Sequence, residues 1–559
     1  MRYLITSALP YINGMKHLGN LVGSMLPADV YARFLRSEGE EVLLICATDE
    51  HGTPAEIAAL EAGLDVADYC ERQHRLQADV YRRFGLSFDH FGRTSAPQNH
   101  EVTQRFYLAL ERNGFIEEKQ LLQCYSPDDG RFLPDRYVIG TCPRCGYNAA
   151  RGDQCENCTC LLEPTELVGP RSAVSGSTVI EFRATDHLFL DLEVLSGRVR
   201  SWVESHPEWP RLTTSIALKW LDEGLKNRCI TRDLTWGVRV PRPGFQDKVF
   251  YVWFDAPIGY VGATKEWSDL RPSDRDWPRW WLDADDVYYV QFMAKDNLPF
   301  HTVFWPASIL GTGEPWTLPS YIKGFNWLTY YGGKFSTSQK RGVFMDKALE
   351  ILPPDYWRYF LMAHAPETDD SDFTWELFAA TINKDLVGNF GNFVNRTLKL
   401  IESRVGRRIP VGGAPGDREA RLTGECSEVL GECRQQLRAM EFRKAVSTLR
   451  RLWSLGNVYV DERAPWKLLK EDPEQASIVL RTAVNLARVF AVAAWPFIPF
   501  TAEAVFEALH LEPEERTAHP SDPRLLTRLG GKRPFDVPPL LFRRIEETEI
   551  ARLREEYGG

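Results

Sequence analysis

A turn from a strand into a helix is indicated by the stretch Tyr11–Asn20, YINGMKHLGN. It follows an apolar run at residues 3–9 that predicts a buried strand. The helix is predicted to begin near Leu18, where free backbone N–H groups and the helix dipole can face an anion. Gly19 leaves room for a nucleotide against the backbone, and His17 can donate to a phosphate oxygen. The stretch therefore predicts an α/β fold with an anion site after its first strand.

A second segment, far along the chain, places a lysine next to three hydroxyl groups: Lys334–Ser338, KFSTS. Two glycines, Gly332 and Gly333, precede it, and a loop of this composition suits a mobile charge that closes over a polyphosphate. Alone, either segment is more often an ordinary helix start or a solvated loop than a functional site. Their joint occurrence predicts the two halves of one phosphate clamp.

The two segments resemble the His-Ile-Gly-His and Lys-Met-Ser-Lys-Ser motifs of class I aminoacyl-tRNA synthetases, and their surroundings are similar to those in the methionyl-tRNA synthetase family. The resemblance runs from Met1 to about Leu509. It implies ATP-dependent ligation of L-methionine to its tRNA, initiator and elongator alike, through a methionyl-adenylate, with Mg²⁺ accompanying ATP. It also implies catalytic roles for His17, Asn20 and Lys334, and ATP binding by His17, Gly19, Asn20, Lys295, Asp296, Lys334, Ser336 and Thr337.

Three departures from the family's pattern bear on this chemistry. Thr337 stands where the family's loop has a second lysine, and losing that charge is expected to weaken transition-state stabilisation unless another cation substitutes. Lys340 or Arg341 can supply that cation, and Lys340 is the fourth catalytic candidate. Asn20 replaces the second histidine of the first motif but keeps a hydrogen-bond donor. Ala294 replaces a glycine beside the nucleotide.

Length and composition predict a multidomain protein of the cytoplasm. A chain of 559 residues is too long for one core and suggests three or four domains. No uninterrupted apolar stretch reaches the roughly 18 residues of a membrane span, and the first residues lack a signal-peptide pattern, so we expect no membrane contact. The formal charge of −10 argues weakly against a nucleic-acid partner, although a local basic face can still bind one. A monomer is expected, because the chain ends before the extra dimerising domain that some family members carry.

The order of predicted elements divides the chain into six regions. The expected fold class is α/β: a doubly wound parallel, Rossmann-like catalytic domain with an inserted zinc-knuckle domain, followed by an α-helical bundle. The regions are the first catalytic half 1–113, the inserted connective domain 114–231, the second catalytic half 232–321, a loop-bearing connecting segment 322–380, a helical anticodon-binding domain 381–510 and a tail 511–559.

Hydrophobic patterning predicts the elements within these regions. Ligands are expected at the carboxyl ends of the parallel strands, and Asp49 and His51 directly follow the second strand. Strands are predicted at residues 3–8, 41–47, 250–254 and 287–292, and helices at 21–37, 66–84, 98–112 and 542–557.

Two Cys-x-x-Cys pairs predict a metal site in the inserted region. Four thiolates at this spacing hold one Zn²⁺ tetrahedrally and leave no position for water, so the site is expected to be structural. An odd total of eleven cysteines argues against a disulfide framework. Cys160, beyond the second pair, is expected to be a spare thiol. The predicted ligands are Cys142, Cys145, Cys155 and Cys158.

The segment Phe250–Tyr260, FYVWFDAPIGY, is predicted to place a substrate pocket at the end of a strand. Aromatic faces suit a polarisable thioether, but such a pocket rejects near-isosteres weakly, so some activation of methionine analogues is expected. The resemblance implies that Asp49 pairs with the substrate ammonium and that His301 closes the side-chain end. The implied methionine-binding residues are Leu9, Tyr11, Asp49, Trp253, Ala256, Pro257, Tyr260 and His301.

The helical region resembles the anticodon-reading surface of the same family. Trp466 would stack on an unstacked base, and Asn395 and Arg396 would bond to base edges. Basic residues give this end a local positive stripe despite the acidic total. They are Arg396, Lys399, Arg404, Arg407 and Arg408.

Three alternatives remain open from the sequence. One is another class I synthetase, for cysteine or leucine, although the aromatic pocket around Trp253 favours methionine. A second is a tRNA-binding or regulatory paralogue without catalysis, for which Thr337 is the best support. A nucleotidyltransferase of the same superfamily is the third and is disfavoured, because such enzymes need no anticodon-binding helices.

Overall fold

The computed structural model describes residues 1–152, 155, 157–158, 160, 162–282, 284–335 and 341–558, except the side chain of Asp135. The chain forms two compact units. Unit 1 comprises Met1–Lys16, Val42–Asp79 and Phe88–Gly324, and unit 2 comprises His17–Glu41, Val80–Ser87 and Phe325–Gly559. The boundary between Lys16 and His17 therefore divides the first motif between the two units.

A five-stranded sheet forms the centre of unit 1. Its strands are β1 (Arg2–Ser7), β2 (Glu41–Thr48), β3 (His90–Arg93), β4 (Val287–Ala294) and β5 (Tyr321–Phe325). Their spatial order is β5-β4-β1-β2-β3, with β1 parallel to β4 and β2 parallel to β3. Every residue of β1 is buried, as expected for a strand covered on both faces. The predicted doubly wound, Rossmann-like fold is confirmed.

Helices cover this sheet and share its core. Leu4, Ile45, Phe106, Ile258 and Trp305 belong to one buried cluster. The helices are Thr53–Glu61, Val66–Arg83, Pro97–Arg112, Val252–Asp269, Pro278–Trp281, the π-helix Phe300–Phe304 and Trp305–Thr312.

The predicted strand at residues 250–254 is wrong beyond its first residue. A two-residue strand, Val249–Phe250, leads into a helix that begins at Val252. Residues 254–264 of that helix are buried without interruption. An apolar run buried on all sides has no alternation to separate a strand from a helix, and the length of this run decides for the helix.

The region between residues 113 and 231 is an antiparallel insertion. One sheet orders its strands Arg228–Cys229, Glu181–Leu190, Ile116–Ser126 and Arg131–Phe132; another orders them Ala150–Arg151, Val138–Thr141 and Val168–Ser172. The helices Leu192–Glu204 and Arg211–Asp222 follow, and Thr231–Arg232 pairs with Val249–Phe250.

Unit 2 begins with the helix that the first motif predicts. Leu18–Asn20, Leu21–Met25 and Leu26–Ser37 follow one another without a break, with a π-helical middle. The buried Arg358 guanidinium fixes this helix by donating to Asp29 Oδ2 at 2.7 Å and to the carbonyls of Phe497 and Pro496 at 2.9 Å. These hydrogen bonds offset the cost of removing the two charges from water.

The rest of unit 2 is mainly helical, which confirms the predicted helical C-terminal part. A small sheet orders Gly333–Lys334, Leu328–Tyr330 and Ser371–Phe373. The helices are Met345–Ile351, Pro354–Ala363, Trp375–Thr381, the π-helix Ile382–Gly391, Asn392–Arg404, Asp417–Arg438, Phe442–Arg463, Pro465–Glu471, Pro473–Ala494, Pro499–Ala508 and Glu547–Tyr557.

Two of these helices differ in informative ways from the sequence pattern. The last one begins at Glu547 and not at Phe542, because Phe542 packs on Tyr356 with ring centroids 5.3 Å apart and Ile545 N–H donates to Asn383 Oδ1 at 2.9 Å. Pro473–Ala494 is long and apolar enough to cross a membrane, by length and composition only, but 78% of its apolar window is buried within the protein.

Candidate functional site

The loop after β1 is fastened to the end of β2 in unit 1. Ile12 N–H donates to Asp49 O, and Asp49 N–H donates to Pro10 O, both at 2.9 Å. The buried Gln77 amide donates to the carbonyls of Tyr11 and Gly14 at 3.2 and 3.1 Å. These bonds hold the loop across the carboxyl ends of two parallel strands, where ligands of such sheets bind.

Asp49 is a buried carboxylate in this loop–strand junction. Its side chain is 3% exposed, and within the described part of the chain Oδ1 has no hydrogen-bond partner. Burial raises its pKa well above the usual range, as do the carboxylates of Asp255 and Glu50, whereas the backbone N–H of His51 and the Lys16 ammonium lower it. A buried acceptor left without a partner is a place where a donor from a ligand gains most.

Lys16 is a cation that sequence reasoning left without a role. It is buried, and its ammonium donates to Asn13 Oδ1 at 3.0 Å. Burial lowers the pKa of Lys16 to about 7, against the opposing effect of Asp49. The sequence shows only that a lysine lies between the glycine turn and His17. It cannot show that this lysine is buried beside Asp49, because that depends on the fold.

Aromatic side chains line the start of the helix Val252–Asp269. The Trp253 and Phe300 rings stack with centroids 3.6 Å apart, and Tyr11 meets Trp253 edge-on at 6.2 Å. Phe300 was missed, although its aromatic neighbourhood at 298–305 was visible. Ala256 and Pro257 are buried in the first turns, and Leu9 packs against the core cluster that contains Tyr260.

His301 and Tyr260 form a fixed pair at the end of these aromatics. His301 Nδ1 lies 2.9 Å from Asn297 O, and Nε2 lies 2.9 Å from the Tyr260 hydroxyl. Because a carbonyl only accepts, Nδ1 carries the proton and Tyr260 donates to Nε2. Burial lowers the pKa of His301 to about 4, so the ring is neutral near pH 7. The structure therefore brings Leu9, Tyr11, Asp49, Trp253, Ala256, Pro257, Tyr260 and His301 into one unit, at adjoining strand and helix ends.

A buried His51–Asp255 pair also escaped sequence analysis. His51 Nδ1 lies 2.6 Å from Asp255 Oδ2, and within the described residues His51 Nε2 has no partner. Glu50, between Asp49 and His51, is buried and accepts from Arg93 Nε at 2.9 Å. The run Asp49-Glu50-His51 after β2 was the available signal, but Asp255 lies 204 positions away. Lys295 and Asp296 occupy the turn that ends β4.

In unit 2 the first motif caps its own helix. Asn20 N–H donates to His17 Nδ1 at 3.3 Å, and His17 N–H donates to Asn20 Oδ1 at 3.2 Å. Because Nδ1 accepts, the neutral ring carries its proton on Nε2. Leu18 N–H donates to Val343 O at 3.1 Å. The expectation of free N–H groups at this helix start is therefore wrong for Leu18 and Asn20, because the carbonyl of Val343 and the His17 side chain accept from them.

The second motif approaches the first within unit 2. The rings of His17 and Phe335 stack with centroids 4.9 Å apart, so the residue that follows Lys334 lies against the imidazole. A Cβ on Gly19 would lie 3.0 Å from His17 Nδ1 and 3.5 Å from Phe335, so a larger residue here would press on the imidazole. The Lys334 ammonium lies 4.5 Å from the centre of the Trp327 ring.

Part of the second motif lies outside the described residues. Ser336, Thr337 and Lys340, all predicted site residues, belong to that part. The chain is described again at Arg341, whose guanidinium donates to Tyr330 O at 3.1 Å. Arg341, the other candidate for the missing cation, is thus bonded to the end of the strand Leu328–Tyr330.

The four predicted metal ligands lie together in unit 1. The Sγ atoms of Cys142, Cys145, Cys155 and Cys158 are all within 4.8 Å of one another. Sγ atoms 2.3 Å from one tetrahedral zinc are about 3.8 Å apart. Cys142 to Cys158 at 3.8 Å and Cys145 to Cys155 at 3.6 Å match that spacing. The donor set fits Zn²⁺.

The predicted RNA-reading residues meet at the end of the helix Phe442–Arg463. Arg396 Nη1 donates to Asp461 Oδ1 at 2.9 Å, and its guanidinium lies 5.9 Å from the Trp466 ring centre. Trp466 is 40% exposed, which is more than a core tryptophan shows. Asn395 precedes Arg396 on the same helix. Arg407 also pairs with acids, Glu402 and Asp536, so part of the basic stripe is internally neutralised.

Comparisons with known proteins cover the whole chain. The family described as "tRNA synthetases class I (M)" matches residues 3–398, and the "Anticodon binding domain of methionyl tRNA ligase" matches residues 409–559. A protein of Acaryochloris marina named "Methionine--tRNA ligase 1" is 61% identical over 100% of both chains. A "Methionine--tRNA ligase" of Streptomyces avermitilis is 57% identical over 100% of this chain and 99% of its own.

A solved structure supports the same fold. The Mycobacterium tuberculosis methionyl-tRNA synthetase in complex with methionyl-adenylate superposes with a TM-score of 0.78 over 97% of this chain and 100% of that one, at 24% identity. The family match over residues 409–559 extends the similarity past Leu509, where the resemblance seen in the sequence ends.

Proposed function

Because the chain belongs to the class I tRNA synthetases of the methionine type, we propose that it joins L-methionine to its tRNA in two steps. In the first, a methionine carboxylate oxygen attacks the α-phosphate of ATP, the bond to the β-phosphate oxygen breaks, and pyrophosphate leaves. In the second, the 2′-hydroxyl of the terminal tRNA adenosine takes the methionyl group and AMP leaves. The observation that carries the proposal is the stack of His17 on Phe335 beside Lys334.

The two motifs neutralise the negative charge of the ATP phosphates. The substrate itself is the nucleophile, so the protein must position two anions and stabilise charge that builds on the phosphates. His17 donates from Nε2, Asn20 fixes the ring through the reciprocal cap, and Lys334 and Lys340 supply positive charge. Gly19, Lys295, Asp296, Ser336 and Thr337 contact ATP, which enters as its Mg²⁺ complex.

Methionine is oriented by charge and enclosed by rings. Asp49 accepts from the ammonium group, which supplies a donor to Oδ1, an atom without a partner among the described residues. Trp253 and Tyr11 offer ring faces and edges to the thioether, whose sulfur makes favourable contacts with aromatic rings. His301, held neutral by burial, closes the far end without placing a charge in the apolar pocket. Leu9, Ala256, Pro257 and Tyr260 complete the lining.

The remaining parts serve stability and RNA recognition. Zn²⁺ held by the cysteine cluster cross-links the inserted region, and four thiolates leave it no catalytic position. Trp466, Asn395 and Arg396 read anticodon bases. We assign the protein to the cytoplasm as a monomer, with initiator and elongator methionine tRNAs as substrates.

One charging assay separates this proposal from its competitors. Purified protein is incubated with ATP, unfractionated tRNA and each of several radiolabelled amino acids, methionine, cysteine and leucine among them. Methionine alone should be attached to tRNA, with methionine-dependent ATP–pyrophosphate exchange. Exchange with another amino acid would indicate another class I synthetase, and binding without charging would indicate a paralogue that lacks catalysis.

Replacing Lys340 with Ala is expected to lower the adenylation rate markedly, by about tenfold or more, while methionine binding stays nearly unchanged. The reason is that Thr337 leaves the loop one positive charge short, and Lys340 is the first lysine that follows it. ATP–pyrophosphate exchange measures the rate, and fluorescence titration measures methionine binding. The control is Lys384→Ala, an exposed lysine in the same unit. Equal exchange in variant and wild type would refute the substitution.

Replacing Lys16 with Met is expected to shift the acid limb of the kcat/KM profile for methionine to higher pH. A protonated Lys16 lowers the pKa of Asp49, so removing it lets Asp49 hold its proton to higher pH, where it cannot accept from the ammonium. The loss should be about tenfold at pH 6 to 7, which corresponds to about 1.4 kcal/mol, and should shrink above pH 7 as Lys16 itself loses its proton in the wild type.

The control for this prediction is Lys16→Arg, which keeps a charge at every pH of the experiment. Its acid limb should stay at or below the wild-type position. A Lys16→Met profile that is lowered by one constant factor at every pH would contradict the electrostatic explanation.

A further inference from the structure

Four thiols form the predicted zinc cluster, and a fifth, that of Cys160, lies against two of them. Cys160 Sγ lies 3.7 Å from Cys142 Sγ and 3.3 Å from Cys158 Sγ. The first of these distances equals the sulfur–sulfur spacing in a tetrahedral thiolate site, about 3.8 Å, as closely as the distances among the four predicted ligands do. Cys160, which the sequence predicts to be a spare thiol, therefore lies in contact with two of the four predicted ligands.

The backbone explains why Cys160 reaches the cluster. In the first half of the site, Cys142 N–H donates to Tyr147 O at 2.8 Å; in the second, Cys155 N–H donates to Cys160 O at 3.0 Å. Both bonds join a first cysteine to the residue five positions later, so the two halves repeat one turn. The repeat places Tyr147 at that position in one half and a thiol in the other.

Exposure distinguishes the two neighbouring thiols. Cys142 and Cys155 are buried, Cys145 and Cys158 are exposed, and Cys160 is half-buried. With their sulfurs 3.3 Å apart, Cys158 and Cys160 compete for the same space beside Cys142. A tetrahedral zinc ion that already holds Cys142, Cys145 and Cys155 needs one more thiolate, so it can bind only one of these two neighbours at a time.

We propose that Cys142, Cys145 and Cys155 hold the zinc permanently and that its fourth thiolate alternates between Cys158 and Cys160. The exchange forms one zinc–sulfur bond as another breaks: the incoming thiol gives its proton to water and the leaving thiolate takes one from water, so no oxidant or reductant is involved. The site then tolerates loss of either of its last two cysteines but of none of the first three.

Metal binding by single and double variants of the full-length protein tests this redundancy. Zinc content after dialysis and competition with a chromogenic chelator are measured, and Co²⁺ replaces Zn²⁺ to count thiolates from the charge-transfer absorption. Cys158→Ser and Cys160→Ser should each keep one metal, with affinity within about tenfold of wild type and a four-thiolate spectrum. The double variant and Cys145→Ser should lose affinity by about a hundredfold or more.

The result that overturns the proposal is a Cys158→Ser protein that loses zinc as fully as Cys145→Ser. Alkylation of the zinc-loaded wild type supplies a second test that needs no folded variant. Mass spectrometry after a brief iodoacetamide pulse should find label shared between Cys158 and Cys160, with Cys142, Cys145 and Cys155 protected. Label on Cys160 alone would show a fixed four-cysteine site. Neither readout uses catalysis, so failure here leaves the proposed ligase activity standing.

Discussion

Replacing His17 with Asn is expected to lower the rate of methionine-dependent ATP–pyrophosphate exchange by about 10²- to 10³-fold, the cost of one lost transition-state donor. The imidazole carries its proton on Nε2 because Nδ1 accepts from Asn20 N–H. It also stacks on Phe335 at the start of the Lys334 loop. Removal of the ring therefore takes away both a donor and the surface that seats the loop.

Asn is the informative substitute because it separates chemistry from folding. Its side-chain oxygen can accept from the backbone N–H three residues on, so the helix cap survives. His17→Ala, by contrast, should lose the cap as well and reduce the free energy of unfolding by about 1 kcal/mol. Thermal unfolding of both variants, measured beside exchange rates, distinguishes the two effects.

His519→Asn is the matched control, since His519 is exposed in the same unit. It should leave exchange and unfolding unchanged. KM for methionine should also change little in His17→Asn, because the methionine contacts proposed here lie in unit 1. Exchange within threefold of wild type in His17→Asn would remove the imidazole from the mechanism.

The parallel sheet could be predicted because its strands are short apolar runs bounded by turns. The runs at 3–8 and 41–47 match β1 and β2 within one residue or two. The run at 250–254 failed because burial on every side erases the periodicity that separates strand from helix. Where both faces of an element are covered, only the length of the apolar run separates a helix from a strand. The helix extends to Asp269, well past the predicted strand at 250–254.

The candidate site was predictable where a chemical role requires one particular type of residue. Asp49 was identified because it directly follows the second strand and the resemblance implies that it pairs with an ammonium; the cysteines were identified because their spacing is specific. Lys16 and Asp255 were not, because their roles depend on burial beside groups from other parts of the chain. Cys160 shows the limit within a local motif: spacing identified two pairs, but only the repeated turn puts a fifth sulfur among them.

Replacing Asp49 with Asn is expected to raise KM for methionine by about a hundredfold or more while KM for ATP stays within about twofold. Truncating one partner of a buried, hydrogen-bonded charge pair costs about 2–5 kcal/mol, and each 1.4 kcal/mol is a factor of ten. Asn keeps the size of the side chain and both backbone bonds that fasten the loop to the strand end. Methionine-dependent and ATP-dependent exchange kinetics give the two KM values.

The same variant is expected to be more stable than the wild type, which a merely damaged protein would not be. The pKa of Asp49 is raised in the folded state by burial and by Asp255 and Glu50. Above the carboxyl pKa of the unfolded chain, about 3.9, the folded state therefore retains a proton that the unfolded state has lost, and stability falls as pH rises toward the folded pKa. Asn removes that cost, so the unfolding temperature of Asp49→Asn should exceed the wild-type value at pH 8, and the difference should vanish near pH 4.

Asp186→Asn, an exposed acid of the same unit, is the control and should change neither KM nor the pH dependence of unfolding. If Asp49 binds the substrate, the variant should show both a raised KM for methionine and a raised unfolding temperature. The reason is that a buried charge destabilises the free protein and is compensated only when the ammonium binds. If Asp49→Asn lowers the unfolding temperature at pH 8 and raises both KM values, Asp49 maintains the fold of the loop and the ammonium is bound elsewhere.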